Sequence, residues 1–148
     1  MKSISALFQR IAALFLAILS FFSFGRGTPA PESPAGDVLL VFPVVTTATK
    51  SFDVTIENRG KSEIGYGVDD FSIEKETAAG WVLLPKTGNY AVIEILMLLE
   101  PGKSTAFHVD LKLCYGKPLA KGNYRFNFSY YEQSGDRGSA SAVFQVET

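Results

Sequence analysis

The 148-residue chain is 47% hydrophobic and 20% charged, with a formal net charge of -1, a balance that fits one folded domain and argues against disorder over most of its length. All 15 acidic residues lie at or beyond Glu32, so the chain without residues 1–25 is mildly acidic. Its basic residues do not cluster between aromatics, which excludes an electrostatic groove for nucleic acid.

Lys2 and Arg10 precede the apolar run Ile11–Phe24, whose length and flanking charge are those of a secretory signal core. Ser23 and Gly25 occupy suitable small-residue positions for cleavage after Gly25. Ile4–Phe24 also approaches the ~20 residues of a membrane span, so residues 1–25 are expected to be either a removed signal peptide or an anchor helix in which Arg10 reaches the headgroups. Both readings place the remainder outside the cytoplasmic membrane. A bacterial lipoprotein anchor needs a cysteine just after the apolar run, whereas the one cysteine is Cys114. Residues 26–36, with Pro29, Pro31 and Pro34, read as a semi-rigid linker. A single domain then spans residues 37–148.

From Asp37 onward the pattern is that of strands. Val38–Val45 is apolar and β-branched, with Pro43 marking an edge or a kink where the strand changes sheets. Lys50–Asn58 alternates, placing Phe52, Val54 and Ile56 on one face. Ile64–Glu76 reads as one strand with a bulge near Asp69-Asp70, and Ala79-Gly80 turns into Trp81–Leu84. Tyr90–Leu99 is β-branched and flanked by turn residues, so a strand is expected. Ser104–Leu113 alternates with Phe107, Val109, Leu111 and Leu113 inward, which turns Cys114 outward. Gly122–Glu132 and Ser139–Glu147 are joined by a turn-rich loop, Gln133–Gly138. About seven short strands without a convincing helix after the linker point to an all-β, two-sheet sandwich, preceded by the N-terminal apolar helix.

Catalytic chemistry finds few candidates. One histidine, His108, and no Gly-x-Ser-x-Gly leave no hydrolase triad. On a continuous strand His108 and Cys114 stand ~20 Å apart, too far for a dyad. His108 reads as an exposed strand residue beside Asp110, and one Cys with one His makes no structural zinc site. Asp69, Asp70, Glu74 and Glu76 are the densest acidic group, a weak calcium candidate because alternation spreads them over a solvated face. Asn127-Phe128-Ser129 matches the N-glycosylation pattern but falls inside a predicted strand. No enzyme activity, cofactor or metal is expected.

Pro118–Phe126 contains Gly122 two residues before Tyr124 and an apolar residue two after it. With Asn58, Tyr66-Gly67, Gly80-Trp81, Leu99-Glu100-Pro101-Gly102 and Tyr115-Gly116, the order and spacing over residues 38–146 resemble a bacterial immunoglobulin-like domain family of exported proteins, mostly Gram-positive. The resemblance implies the sandwich fold, an extracytoplasmic setting and no general activity. It implies structural roles for Tyr124, Gly122, Trp81, Pro101 and Gly102, the Tyr124 hydroxyl bonding backbone a few residues upstream. The chain departs from antibody-type domains in lacking a cysteine pair, and Trp81 follows a hairpin. The functional expectation is a non-catalytic binding or structural module at the cell envelope. Its contacts with an envelope or extracellular protein are expected through Lys86–Asn89, Gln133–Gly138 or the edge near Val38–Val45, with membrane contact only through the N-terminal segment. The alternative is a protease-inhibitor-like or small-ligand sensory domain.

Overall fold

Alternation in β3 (Ser51–Asn58) turns Phe52, Val54 and Ile56 inward, where they are buried, and the strand pairs on both sides. β1 (Val38–Val41) and β8 (Ser104–Asp110) flank it antiparallel, completing a three-stranded sheet. A computed structural model describes residues 36–87 and 93–148. The expected export segment, nearly all of the linker and part of Tyr90–Leu99 lie outside them. Among the described residues no helix is long and apolar enough to cross a membrane.

The larger sheet is built on a long hairpin, β9 (Gly122–Glu132) and β10 (Arg137–Glu147). β2 (Val45–Thr46) runs parallel to the end of β10. The other side of β9 takes two collinear pieces, β4 (Ile64–Tyr66) and β5 (Phe71–Thr77). β5 carries β6 (Gly80–Leu83), and β4 carries β7 (Met97–Leu99) at the sheet edge.

Among the described residues ten strands stand where seven or so were expected, because two predicted strands break. Pro43 lacks a backbone donor, and around it the chain leaves β1 in the small sheet and enters β2 in the large one. Ile64–Glu76 is interrupted where a turn intervenes, with Asp70 N–H bonded to the Gly67 carbonyl at 3.2 Å; this is a break, not a bulge. Tyr90–Leu99 is a strand only at Met97–Leu99 among its described residues.

The predicted strand through Leu113 stops at Asp110. Leu111–Tyr115 is a short helix, α1, because the Asp110 carboxylate caps it by accepting from Leu113 N–H at 2.9 Å. Gly116 closes its other end, its N–H bonding Lys112 carbonyl at 2.9 Å. The helical turn buries Leu111 and Cys114 and leaves Leu113 exposed, reversing the expected placement of Leu113 and Cys114.

The core between the sheets is largely aromatic. Phe107 of the small sheet meets Phe126 and Phe128 edge-on at 6.2 and 5.5 Å, and Phe71 stacks on Phe126 at 5.3 Å. Such pairs add about 0.5–1.5 kcal/mol each beyond the area they bury. At one end Asn58 joins the sheets while wholly buried. Its side-chain amide donates to the Ser62 and Leu99 carbonyls at 2.9 Å each, and its side-chain oxygen accepts from Gly60 N–H at 3.0 Å. Its backbone holds the turn before β8, accepting from Gly102 N–H at 2.7 Å and donating to Lys103 carbonyl at 2.9 Å.

Candidate functional site

An exposed apolar surface grows from the short β4. Ile64 and Tyr66 turn into the core, so Gly65 between them faces the other way, in register with Leu98 on one side and Tyr131 on the other. A Cβ at Gly65 would stand 3.1 Å from Leu96 Cδ1 and 3.5 Å from Leu98 Cδ2. Glycine leaves room there for two leucines to lie across the outer face of the sheet, where a Cβ would push Leu96 aside by a few tenths of an ångström.

Leu96 and Leu98 nevertheless remain 63% and 60% exposed, and Ile93, Ile95, Val68 and Tyr131 continue the apolar surface. Two depressions flank it: one of about 510 Å³ bordered by Val68, Asp70, Ile93 and Leu96, the other of about 280 Å³ bordered by Gly65, Leu98 and Gln133. Tyr131 lines both. Among the described residues β7 has a hydrogen-bonded neighbour on one side only. Edge strands are commonly guarded by charge or proline, yet Ile95–Leu99 has neither.

The surrounding charges fall into two groups. At the Asp69-Asp70 turn, Lys86 ion-pairs with Asp69 and lies 4.0 Å from the Phe71 ring centre. Arg137 stands 3.6 Å from Asp70 and covers the Tyr131 ring at 5.2 Å. By contrast, Glu63, Glu94, Glu100 and Glu132 make no ion pair among the described residues. Glu63 and Glu132 border the smaller depression, Glu94 the larger, and Glu100 follows β7 directly.

The residues picked out from sequence are distributed elsewhere. Tyr124 donates from its hydroxyl to the Ala120 carbonyl at 2.7 Å, bridging the bend into β9, with Gly122 at the start of that strand. Trp81 lies on the β5–β6 hairpin under the Arg125 guanidinium, 4.8 Å from it. Arg125 also bonds Glu74, and with Asn127 it holds the Glu74 carboxyl below the usual carboxylate range. Pro101 and Gly102 form the turn between β7 and β8, where Gly102 has a φ of 73° that favours glycine.

Glu76 accepts from Asn123, and the four carboxylates of the calcium candidate do not converge. Among the described residues no group of three or more His, Cys, Asp or Glu could hold a metal. His108 is exposed and its Nδ1 meets Asp53 Oδ1 at 2.7 Å across the strand pair, so Asp53, not Asp110, is its neighbour. Of the expected contact regions, Lys86 is tied to Asp69, Gln133 borders the apolar edge, and Val38–Val41 is an outer strand of the small sheet. Asn89 lies outside the described residues.

A third depression, of about 360 Å³, lies between Leu84, Pro85, Tyr115, Leu119 and Tyr124, with Lys75 at its border. Among the described residues the buried Tyr115 hydroxyl has no partner in hydrogen-bonding geometry, and burial drives its pKa well above the ordinary tyrosine value.

The exposure of Leu96 and Leu98 escaped sequence reading because the β-branched, apolar stretch around them indicated a strand without indicating which face is covered. The Ile64-Gly65-Tyr66 triplet was the available signal, since a glycine between two inward residues leaves room on the outer face. Residues 40–137, about two thirds of the chain, match the family described as bacterial Ig-like domain. No curated protein matches the chain.

Proposed function

The chain belongs to the bacterial Ig-like domain family, and from that premise we propose that it is an exported, non-catalytic module that binds another protein of the cell envelope through the β7 edge. The observation that carries this reading is the pair Leu96 and Leu98, large apolar side chains exposed on the edge strand β7 and on the residue just before it, with no charge from Ile95 to Leu99. Contiguous apolar surface of this kind marks contact sites on folded proteins, and a free strand edge is a template for a further strand. The apolar run Ile11–Phe24 supports export.

The test is photocrosslinking in source cells, with a photoreactive residue at position 98 or, on the outer face of β10, at position 143. A discrete adduct from position 98 and none from 143 is expected; adducts only from 143, or none from either, would overturn the reading. The 360 Å³ depression beside Tyr115 favours a second reading, a small-ligand sensory domain. It is checked by whether candidate ligands raise the melting temperature, as binding to the folded state alone must.

A further inference from the structure

Resting on the β7 reading, we propose that the partner presents an extended apolar segment flanked by lysine or arginine, which adds to β7 as a further strand. β7 is held on one side through the register Ile64 with Leu99, Gly65 with Leu98 and Tyr66 with Met97. Its other side has no hydrogen-bonded neighbour among the described residues. A strand laid there satisfies those backbone groups and sets alternate side chains beside Leu96 and Leu98 on the outer face.

Charge selects the occupant. Glu94 and Glu100 lie just before and just after the apolar stretch Ile95–Leu99, while Glu63 and Glu132 border the depression on the β4 and β9 side of it, away from the open edge. None of the four has an ion-pair partner among the described residues. Of the nearby cations, Lys86 is committed to Asp69, while Arg137 covers the Tyr131 ring beside Asp70. Lys103 shares the turn after β7 with Glu100, its N–H bonding the Glu100 carbonyl at 3.2 Å, and Lys61 lies two residues before Glu63, yet neither lysine ion-pairs with a carboxylate among the described residues. An apolar surface rimmed by unpaired carboxylates favours a segment with cations at its ends and repels an acidic one.

The same rim disfavours pairing with a second copy of this chain in the register that is centred on Met97, the middle of the apolar stretch Ile95–Leu99. Antiparallel pairing of two β7 strands about Met97 would set Glu94 of each copy opposite Glu100 of the other. Like charges directly opposed across strands are destabilising.

The experiment uses fluorescence anisotropy with the full chain in mild detergent. The probes are two short synthetic peptides of alternating valine and threonine, one with paired lysines at both ends and one with paired glutamates. The lysine-ended peptide is expected to bind at least about tenfold more tightly at low salt, and the gap to shrink as salt is raised. Glu94→Lys with Glu100→Lys should reverse the preference. Leu98→Asp should abolish binding without lowering the melting temperature, since Leu98 is largely exposed. Equal binding of both peptides would overturn the charge claim while leaving edge docking standing. No peptide binding alongside a persistent position-98 crosslink would overturn strand addition alone, and loss of both would overturn the edge reading itself. Sedimentation as a dimer that Leu98→Asp dissociates would identify the occupant as a second copy and overturn the proposal.

Discussion

Phe126 and Leu98 belong to the same sheet and differ little in apolar character, yet Phe126 is wholly buried and Leu98 is 60% exposed. Phe126 faces the small sheet, where Phe107 meets it, while Leu98 faces outward over Gly65. The contrast shows that alternation along a strand tells which residues share a face but not whether anything covers that face. Burial is decided by the second layer, a tertiary fact. Apolar residues on the covered face hold the fold together, and those on the uncovered face are available to a partner.

Mutations should separate the two regions sharply. Phe126→Ala is expected to cost about 3–5 kcal/mol of stability, seen as a lower denaturation midpoint; a loss under about 1 kcal/mol would mean that the aromatic layer is not the core. Asn58→Ala leaves the Leu99 and Ser62 carbonyls and Gly60 N–H without their side-chain partner. It should cost roughly 2–3 kcal/mol, and faster amide exchange at Gly60 would trace the loss to that bond. Tyr124→Phe removes one hydrogen bond to Ala120 and should cost about 1 kcal/mol, measured by urea unfolding with an unchanged slope. Leu98→Ser should change stability by no more than about 0.5 kcal/mol while reducing crosslinking from a photoreactive residue at position 96. A core-sized destabilisation there would erase the distinction between the two regions.

Much of the core was legible because inward and outward positions alternate without interruption in β3 and β9. Pro43 signalled the change of sheet through its missing donor. The Tyr124 hydroxyl bond at the bend into β9 was implied by the family resemblance that Gly122 and Tyr124 carry, and it is present, reaching the Ala120 carbonyl. The helix after Asp110 was not legible, although Asp110 and Gly116 are ordinary start and stop residues for a short helix; alternation at Leu111 and Leu113 imitated a continuing strand. The edge at Leu96 and Leu98 was read as strand but not as surface, since its exposure depends on the absence of a covering layer. That Glu94 and Glu132 make no ion pair among the described residues likewise depends on where distant cations fold, which local spacing does not encode.

Asn58 adds a constraint that hydrophobicity lacks. Phe52, Val54, Ile56 and Asn58 all face inward, so a slip of β3 by one residue would turn the whole set to solvent and is strongly disfavoured. A slip by two keeps parity and leaves apolar residues inside, so apolar burial alone tolerates it. That slip would carry the Asn58 amide away from the Ser62 and Leu99 carbonyls it now reaches at 2.9 Å and strand polar groups in the interior. Alternation sets only the parity of the strand, whereas this one amide works as a vernier that fixes its absolute position.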